Sequence, residues 1–488
     1  MSAPGRTAGT QAGMRDDLHA LLAPASVAVV GASEHPHKVG GRPLAYLATH
    51  GYRGRVYPVH PRAAEIQGLR AYPSLDALPE VPEAVILCVG SDAVEAQVAL
   101  CARLGVKAVV LFASGYAELG GEGLARQQRL ADLCRAAGMR LLGPNSIGIA
   151  SFDSGAVLSF ASIYTDSRPQ DGPVAIVSQS GAFGVSVYAL LREAGVGVRC
   201  VAATGNEADI DTADLVEALA AQAGMRLILL YLERVGDPAR MRAALQAARR
   251  REIQVVAVRA GQSSEGRRSA GLHTGSEGAG GPEHDALFDE AGCRTVGDIA
   301  EMLGSVPGYL RWPAPAGPAA TPRLAIVSNS GASCVIAADQ ASRLGLPLAQ
   351  LATPSRERLA ELLPAFSLNR NPIDLTAMLL GTPALLGDVL DCVSADPAVD
   401  AVVLGLAAIG GPSYDVARFA RDGRAASERS GKPIWVHSPH AHVRGAFVQC
   451  GMPAFHTEAD ALREAAGHAR HGGAPNAVPS PRPEILHA

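Results

Sequence analysis

The sequence is poor in charged and aromatic side chains, and it contains no hydrophobic run long enough to cross a bilayer. Of its 488 residues, 18% are charged and 4% are aromatic, and the formal net charge is −4. So balanced a charge gives no broad basic field for nucleic acid, and so few aromatics disfavour base-stacking platforms. No apolar run approaches the ~20 residues that a membrane-spanning helix needs. We therefore predict a cytoplasmic protein that binds neither nucleic acid nor membrane.

Signatures of metal binding and of a P-loop are also missing. The eight cysteines are scattered without metal-ligand spacing, and most lie in apolar segments where a thiol behaves as a small hydrophobe. Three histidines lie close together at 437, 440 and 442, but Pro439 interrupts the helical spacing that a shared metal would need. We predict no metal site, and the sequence contains no G-x-x-x-x-G-K-[ST] motif.

Short β-branched runs alternate with longer helical patterns along most of the chain. This alternation is typical of parallel sheets covered by helices on both faces. We predict an α/β protein of three consecutive doubly wound parallel-sheet domains. The predicted organisation is a disordered N-terminus (1–17), a first domain (18–150), a second domain (151–311), a proline-rich linker (312–322), a third domain (323–470) and a disordered tail (471–488).

One octapeptide occurs twice. The segment Ala175–Ala182, AIVSQSGA, returns 150 positions later as Ala325–Ala332, AIVSNSGA. Each copy follows an apolar strand and opens into a helical stretch, so unpaired N–H groups and the positive end of a helix dipole meet at one point. The repeat predicts a duplicated domain with two anion-binding turns that share one anion. The predicted phosphate-binding residues are Ser178, Gln179, Ser180, Gly181, Ser328, Asn329, Ser330 and Gly331.

The first domain has the features of a nucleotide site, but not those of an NAD site. Residues Gly31–Ser33 follow the first strand, where doubly wound folds place a phosphate. The second strand ends in Pro-Val-His-Pro (58–61), without the carboxylate that binds an NAD ribose, which disfavours an NAD-dependent dehydrogenase. A 3′-phosphorylated adenosine, as in coenzyme A, would avoid an acid there and prefer His60 or Arg62. Alternatively, the two prolines only shape a turn.

Several further motifs carry a family resemblance. VAVVGAS, YPVHP, the loop Ala113–Glu118, LLGPNS, IVSQSGAFG, TGNEADID, LYLE, LHTGS, IVSNSGA and NPIDLT occur in this order between about Ala25 and Asp460. Together they resemble the NDP-forming acyl-CoA synthetases, the ADP-forming acetate–CoA ligases related to succinate–CoA ligase. The resemblance implies a Rossmann-like CoA-binding domain followed by two flavodoxin-like domains. It also implies that coenzyme A is approached by Gly31, Ala32, Ser33, Val59, Pro61, Ser91, Ser114, Gly115 and Asn145.

His273 lies in a stretch rich in glycine and serine, from Gly261 to Pro282, which we predict to be a mobile loop. Composition alone would make it a solvated side chain. The resemblance implies instead that His273 is the transient phosphate carrier, and that Glu233 accepts its other ring N–H and so fixes its tautomer. Two helix N-termini would supply the fixed positive potential that a phosphohistidine needs.

The resemblance implies the α subunit of an acid–thiol ligase that interconverts acyl-CoA, phosphate and ADP with carboxylate, coenzyme A and ATP through a phosphohistidine. Its substrate would be a small carboxylic acid or the acyl-CoA. ADP or ATP with Mg²⁺ would then be held by a separate ATP-grasp β subunit, in a hetero-oligomer; a homodimer is the other assembly we expect. The alternative function is a CoA- or acyl-CoA-binding protein that keeps the fold without phosphoryl transfer.

Overall fold

A computed structural model describes residues 18–166, 169–274, 282–312, 321–364, 370–409 and 413–470, without the side chains of 270–274 and 282–284. The predicted disordered segments 1–17 and 471–488 lie outside the described residues, as does most of the predicted linker. The chain divides into two compact units, one within residues 1–303 and the other within 304–488. None of the described helices is both long and apolar enough to cross a bilayer.

The first domain is built on a five-stranded parallel sheet with the order β2-β1-β5-β6-β7, plus a small hairpin, β3–β4. Its strands are β1 (Ser26–Val30), β2 (Arg55–Val59), β3 (Glu65–Ile66), β4 (Leu69–Arg70), β5 (Ala84–Leu87), β6 (Ala108–Leu111) and β7 (Arg140–Leu142). Its helices are α1 (His19–Leu22), α2 (Arg42–Thr49), α3 (Ser91–Leu104) and α4 (Gly121–Ala136), with 3-10 turns at Leu75–Ala77 and Ala117–Leu119. All residues of β1, β5, β6 and β7 are buried, as expected for strands covered on both faces.

The second domain has a seven-stranded sheet with the order β14-β13-β12-β10-β11-β8-β9. Its strands are β8 (Gly148–Ser151), β9 (Ala156–Ser159), β10 (Val174–Ser178), β11 (Val198–Ala203), β12 (Leu227–Leu232), β13 (Gln254–Arg259) and β14 (Arg294–Val296). Its helices are α5 (Ile163–Asp166), α6 (Gly181–Glu193), α7 (Thr212–Ala220), α8 (Pro238–Arg250), α9 (Ser264–Thr274), α10 (Pro282–Glu290) and α11 (Ile299–Arg311). The five strands β10–β14 are parallel, whereas the β8–β9 hairpin joins β11 in antiparallel orientation and was not predicted.

The prediction of a mobile loop over 261–282 is wrong for residues 264–274, which form helix α9. A serine cap at the start of the helix accounts for the difference. The hydroxyl of Ser263 accepts a hydrogen bond from the N–H of Gly266 at 2.9 Å, which satisfies a donor that the first helical turn leaves unpaired. His273 therefore belongs to the last turn of a helix, while residues 275–281 lie outside the described chain.

The third domain repeats the five-stranded parallel sheet, with the order β16-β15-β17-β18-β19. Its strands are β15 (Leu324–Ser328), β16 (Ile373–Asp374), β17 (Ala401–Gly405), β18 (Ile434–His437) and β19 (Ala454–Phe455). Its helices are α12 (Gly331–Arg343), α13 (Thr353–Leu362), α14 (Leu385–Ala395), α15 (Val416–Ser430), α16 (Ala441–Gln449) and α17 (Glu458–Arg470), with a 3-10 helix at Thr376–Leu380. Its core contains Trp435 against Trp312, whose Nε1 donates to the Ser427 hydroxyl at 3.0 Å.

The five parallel strands of each domain follow one order. Numbered within its own domain, each set reads 2-1-3-4-5 across the sheet, the order of flavodoxin-like folds. The strand order reverses between the first and third strands, and the reversal leaves a crevice at their carboxyl ends. Open α/β sheets bind ligands in such a crevice. The two copies of the octapeptide occupy this same place in the second and third domains.

Within residues 1–303, a backbone ladder and a buried ion network join the first two domains. The N–H groups of 206, 208 and 210 donate to the carbonyls of 144, 143 and 141 at 2.9, 3.1 and 3.2 Å. Beside this ladder, Arg140 on β7 pairs with Asp209 and Asp214, each at 2.8 Å. Arg240 adds a second cation to Asp211 and Asp214. The Arg140, Asp209 and Asp214 side chains are at most 8% exposed, so their charges depend on one another.

Replacing Arg140 by methionine should destabilise the protein strongly. The substitution keeps much of the side-chain volume but leaves two buried carboxylates without their shared cation, which costs about 3–5 kcal/mol. Urea denaturation followed by circular dichroism measures the loss. Arg135→Met is the matched control, because Arg135 pairs with Asp132 on the exposed face of α4 and its loss should change stability little. Equal losses in the two variants would contradict the role of the buried network.

Candidate active site

The residues expected to approach coenzyme A all follow the carboxyl ends of strands in the first sheet. They are Gly31–Ser33 after β1, Val59 and Pro61 at the end of β2, Ser91 after β5, Ser114 and Gly115 after β6, and Asn145 after β7. Because these strands are parallel, their carboxyl ends form one edge of the sheet. The structure therefore brings all of these residues to the edge where doubly wound folds bind nucleotides.

The turn after β1 requires glycine for two reasons. Gly31 has a φ of +80°, and a Cβ there would lie 2.4 Å from the carbonyl oxygen of Cys88. A Cβ on Gly40 would lie 2.1 Å from the carbonyl oxygen of Gly31. Backbone approaches this close leave no room for side chains. The N–H groups of Gly31 and Ala32 donate to the carbonyl of Val59, and that of Ser33 donates to the carbonyl of Gly40, so the turn is held by its own backbone.

Gln67, which the sequence analysis did not single out, holds the following loop in place. Its side-chain amide donates to the carbonyls of Ser33 and Gly41 at 2.9 and 3.0 Å. Gln67 and Gly68 have φ values of +48° and +75° and form the two-residue turn between β3 and β4. The signal that could have revealed it is the Gln-Gly pair between two short extended segments.

His60 folds back on its own turn at the end of β2. Its Nδ1 accepts from the N–H groups of Arg62 and Ala63 at 3.2 and 3.1 Å. An Nδ1 that accepts leaves the proton of a neutral imidazole on Nε2. The ring can thus offer an N–H donor at this edge, as a phosphate on the adenosine would require.

A carboxylate supports the loop after β6. Glu118 accepts from the N–H of Gly115 at 2.5 Å and, through its other oxygen, from the side-chain amide of Asn206. Burial acts to raise the pKa of Glu118, but these hydrogen bonds outweigh it and the pKa is lowered. The amide oxygen of Asn206 accepts in turn from the side chain of Asn145 at 3.2 Å. A residue of the second domain therefore links two loops of the predicted CoA site.

In the first anion turn, the side chains hold the shape and the backbone faces outward. The buried Ser178 hydroxyl donates to the carbonyl of Ser180 at 2.6 Å and accepts from its N–H at 3.1 Å. Ser180 caps α6, and its hydroxyl accepts from the N–H of Phe183. The N–H groups of Gly181 and Ala182 lie in the first turn of α6, where a helix offers no internal acceptor. These N–H groups are the donors that an anion would meet.

Gln179 joins this turn to the neighbouring strand. Its amide oxygen accepts from the N–H groups of Glu233 and Arg234 at 2.6 and 2.9 Å. Its amide nitrogen donates to the carboxylate of Glu207 and to the carbonyl of Arg234, both at 2.9 Å. The side chain is therefore a structural bridge across the strand-order reversal, and not a free donor to phosphate.

The second turn repeats these contacts. The N–H of Ser330 donates to the Ser328 hydroxyl, and the Ser330 hydroxyl caps α12. The amide oxygen of Asn329 accepts from Ala407 and Ala408 at 2.9 and 3.4 Å. The turns lie in different units, within 1–303 and 304–488, and their joint binding of one anion stays a prediction.

The two turns differ beside their first helical glycine. A Cβ on Gly181 would meet the Ile147 side chain at 2.7 Å, whereas a Cβ on Gly331 would meet a carboxylate oxygen of Asp374 at 2.9 Å. A carboxylate at a helix N-terminus already compensates part of the helix dipole. The first helical glycine of the first turn thus has an apolar neighbour, and that of the second turn has an acid.

Glu233 follows β12 and is 7% exposed. The Tyr231 hydroxyl donates to its carboxylate at 3.1 Å, and the Tyr231 ring stacks on Phe183 at a centroid distance of 4.1 Å. Burial, together with the charge of Glu233, raises the pKa of Tyr231, so the phenol remains a donor. Glu233 is thereby held next to the first anion turn.

Helix α9 carries His273 in its last turn. The helix follows β13, the neighbour of β12, and it contacts the 3-10 turn Ala117–Leu119 in the loop after β6 (Phe112–Gly120), which we call the CoA loop. The side chain of His273 lies outside the described residues.

Comparisons with known proteins bear on this arrangement. A family model of CoA binding domains matches residues 25–151, and a model of the succinyl-CoA ligase like flavodoxin domain matches residues 171–307. The α subunit of an ADP-forming acetate–CoA ligase II from Pyrococcus furiosus is 34% identical over 73% of this chain and 76% of its own length. The chain belongs to the family of ADP-forming acetate–CoA ligases. The family resemblance and the CoA-binding first domain are therefore confirmed.

Two further comparisons show how much of related proteins this chain corresponds to. The ADP-forming acetate–CoA ligase I of Archaeoglobus fulgidus is also 34% identical over 73% of this chain, which covers 50% of that longer protein. A solved structure of Ca. Korarchaeum cryptofilum dinucleotide-forming acetyl-coenzyme A synthetase 1, in complex with phosphate and ADP, superposes with a TM-score of 0.83. That chain is 25% identical, and the match covers 93% of this chain and 97% of the other.

Replacing Gly31 by alanine should weaken binding of coenzyme A by more than ~10-fold. The added Cβ would collide with the carbonyl oxygen of Cys88 and displace the turn after β1. Calorimetric titration with coenzyme A measures the affinity. Gly105→Ala is the matched control: Gly105 has a φ of +82° with nothing within 4 Å of the added Cβ, so it carries only the strain of a left-handed alanine. If both variants bind coenzyme A like the wild type, the turn does not contact the ligand.

Proposed function

We propose that this chain is the acyl-CoA-binding, phosphate-carrying α subunit of an ADP-forming acyl-CoA ligase. The overall reaction is acyl-CoA + phosphate + ADP ⇌ carboxylate + coenzyme A + ATP. The observation that carries this proposal is the place of α9. The helix that bears His273 contacts the CoA loop. It follows β13, which pairs with β12, and Glu233 comes directly after β12.

In the first step, an oxygen of phosphate attacks the thioester carbon at the carboxyl edge of the first sheet. The C–S bond breaks, and coenzyme A leaves as a thiolate that takes up a proton. The product is an acyl phosphate, whose phosphoryl oxygens suit the N–H groups of Gly181 and Ala182.

In the second step, a ring nitrogen of His273 attacks the phosphorus atom of the acyl phosphate. The bond between phosphorus and the acyl oxygen breaks, and the carboxylate leaves. Glu233 accepts the N–H of the other ring nitrogen, which keeps the attacking nitrogen unprotonated and stabilises the phosphorylated ring.

In the third step, a terminal phosphate oxygen of ADP, held by a partner subunit, attacks the phosphorus atom of the phosphohistidine. The N–P bond breaks, ATP forms and the His273 ring is freed. We infer an ATP-grasp β subunit that holds ADP and Mg²⁺, in a hetero-oligomer with this chain. The name of the P. furiosus relative, which is itself a subunit α, supports this assembly. So does the A. fulgidus relative, because this chain covers only 50% of it.

The carrier role predicts a specific label. The full chain, mixed with acetyl-CoA and ³²P-phosphate, should gain acid-labile, base-stable radioactivity, as expected for phosphohistidine. His273→Ala should abolish the label, and Glu233→Gln should slow its appearance by ~10–100-fold because the amide that replaces the carboxylate carries no charge to stabilise the ring. His442→Ala, which removes an exposed histidine of α16, is the control and should label normally.

An unlabelled wild-type chain that still binds coenzyme A would overturn the proposal in favour of a CoA-binding protein. Label that persists in His273→Ala would move the carrier to another residue.

A further inference from the structure

The segment Thr204–Ile210, within the TGNEADID motif, has no part in the steps above, yet it lies between the two sites. Two of its residues have left-handed backbone, Gly205 with a φ of +61° and Glu207 with +55°. A Cβ on Gly205 would lie 2.4 Å from the carbonyl oxygen of Pro144. The segment is thus held tightly against the end of β7, next to Asn145.

The side chain of Asn206 points to the CoA side. Its amide nitrogen donates to Glu118 and to Gln127, and its oxygen accepts from Asn145 at 3.2 Å. Glu118 in turn holds the N–H of Gly115. Asn206 therefore fixes, directly or through one carboxylate, two of the residues expected at coenzyme A.

The side chain of Glu207 points to the phosphate side, and it is 2% exposed. One carboxylate oxygen accepts from the Thr204 hydroxyl at 3.1 Å and from the N–H of Thr212 at 3.0 Å. The other accepts from Gln179 at 2.9 Å and pairs with Arg234 at 3.2 Å. A carboxylate this well supplied with donors fixes the rotamer of each partner.

Gln179 passes this constraint to the predicted orienting acid. Its amide oxygen holds the N–H of Glu233 at 2.6 Å, while its amide nitrogen is held by Glu207. Arg234 closes the loop, because it also donates to the backbone carbonyl of Asn206 at 2.9 Å. Glu207 therefore sets the backbone position of Glu233 through one intermediate side chain.

We propose that Asn206 and Glu207 are positioning residues that align the CoA loop with the histidine-orienting acid from two adjacent points of one rigid segment. This inference rests on the proposed function and deepens it. Asn206 acts on coenzyme A through Glu118 and Asn145. Glu207 acts on phosphoryl transfer through Gln179 and Glu233. Neither residue takes part in bond making or breaking.

The chain contains a matched control for a purely structural role. Asp396, in the third domain, is 1% exposed, and its carboxylate accepts from the N–H groups of Ala352 and Ala398, both at 2.8 Å. Neither contact involves the CoA loop or Gln179. Asp396→Asn should lower the melting temperature and leave the labelling rate and the half-saturating acetyl-CoA concentration near their wild-type values.

The experiment uses the full chain with acetyl-CoA and ³²P-phosphate, and measures the maximal labelling rate and the half-saturating acetyl-CoA concentration. Asn206→Ala should raise the half-saturating concentration ~10-fold, with little change in the maximal rate. Glu207→Gln should lower the maximal rate ~100-fold, the effect of a misplacement near 1 Å, with the half-saturating concentration within ~3-fold. In a titration with coenzyme A, Asn206→Ala should bind more weakly than the wild type, and Glu207→Gln should bind with nearly wild-type affinity.

A double-mutant cycle tests the contact itself. Gln179→Met removes the amide at similar volume and should also lower the maximal rate. If Glu207 acts through Gln179, the double variant Glu207→Gln, Gln179→Met should be about as slow as the slower single variant, because both changes interrupt one chain of hydrogen bonds. Melting temperatures identify any variant that is merely unfolded.

The outcomes separate the inference from the proposed function. Absence of label on the wild-type chain would overturn the function, and the inference with it. If the wild type is labelled but Asn206→Ala and Glu207→Gln each change both parameters, or change neither as in Asp396→Asn, the positioning role is overturned while the function stands. Additive rate losses in the double variant would overturn the role of the Glu207–Gln179 contact.

Discussion

A single side-chain amide bridges the crevice in each of the two duplicated domains, and the anion turns depend on it. At the strand-order reversal the first and third strands diverge, so the backbone N–H groups after the third strand lose their partners in the sheet. Gln179 accepts from two such groups after β12, and Asn329 accepts from two after β17. Because the two side-chain amides accept from the N–H groups that line the crevice, the N–H groups at the start of the following helix remain available to a ligand. The duplicated sequence AIVS[Q/N]SGA thus encodes a supported anion turn, and not only a glycine-rich bend.

The two copies share this support but differ in what surrounds it. The amide of Gln179 holds Glu233 and Arg234, whereas the corresponding partners of Asn329 are Ala407 and Ala408. The longer glutamine also reaches the carboxylate of Glu207. One copy therefore has an acid, a cation and an organised network, while the other presents a helix N-terminus beside Asp374.

The alternation of buried strands and helices could be predicted because its signals are local. Strands such as β5 (Ala84–Leu87) and β6 (Ala108–Leu111) are apolar over their full length, whereas the β8–β9 hairpin was missed. Helix α9 was not predicted, because it depends on one serine cap within a glycine-rich stretch. The roles of Gln67 and Glu207 were not predicted for another reason. They act on partners 34 and 28 positions away, and no pattern along the chain reports which loops the fold brings together.

The junction of the first two domains shows why these contacts must be rigid. In the proposed mechanism, an acyl phosphate made at the CoA edge has to reach His273 without escaping to water, which requires a fixed separation between the two edges. Buried ion pairs such as Arg140 with Asp209 and Asp214 are inefficient stabilisers, because desolvation offsets most of their attraction. They are, however, strict about geometry, since a small shift leaves a buried charge uncompensated. Together with the ladder from 206 to 210, they fix the register of the segment that carries Asn206 and Glu207. A hydrophobic junction of equal area could slide by an ångström at little cost, and this one cannot.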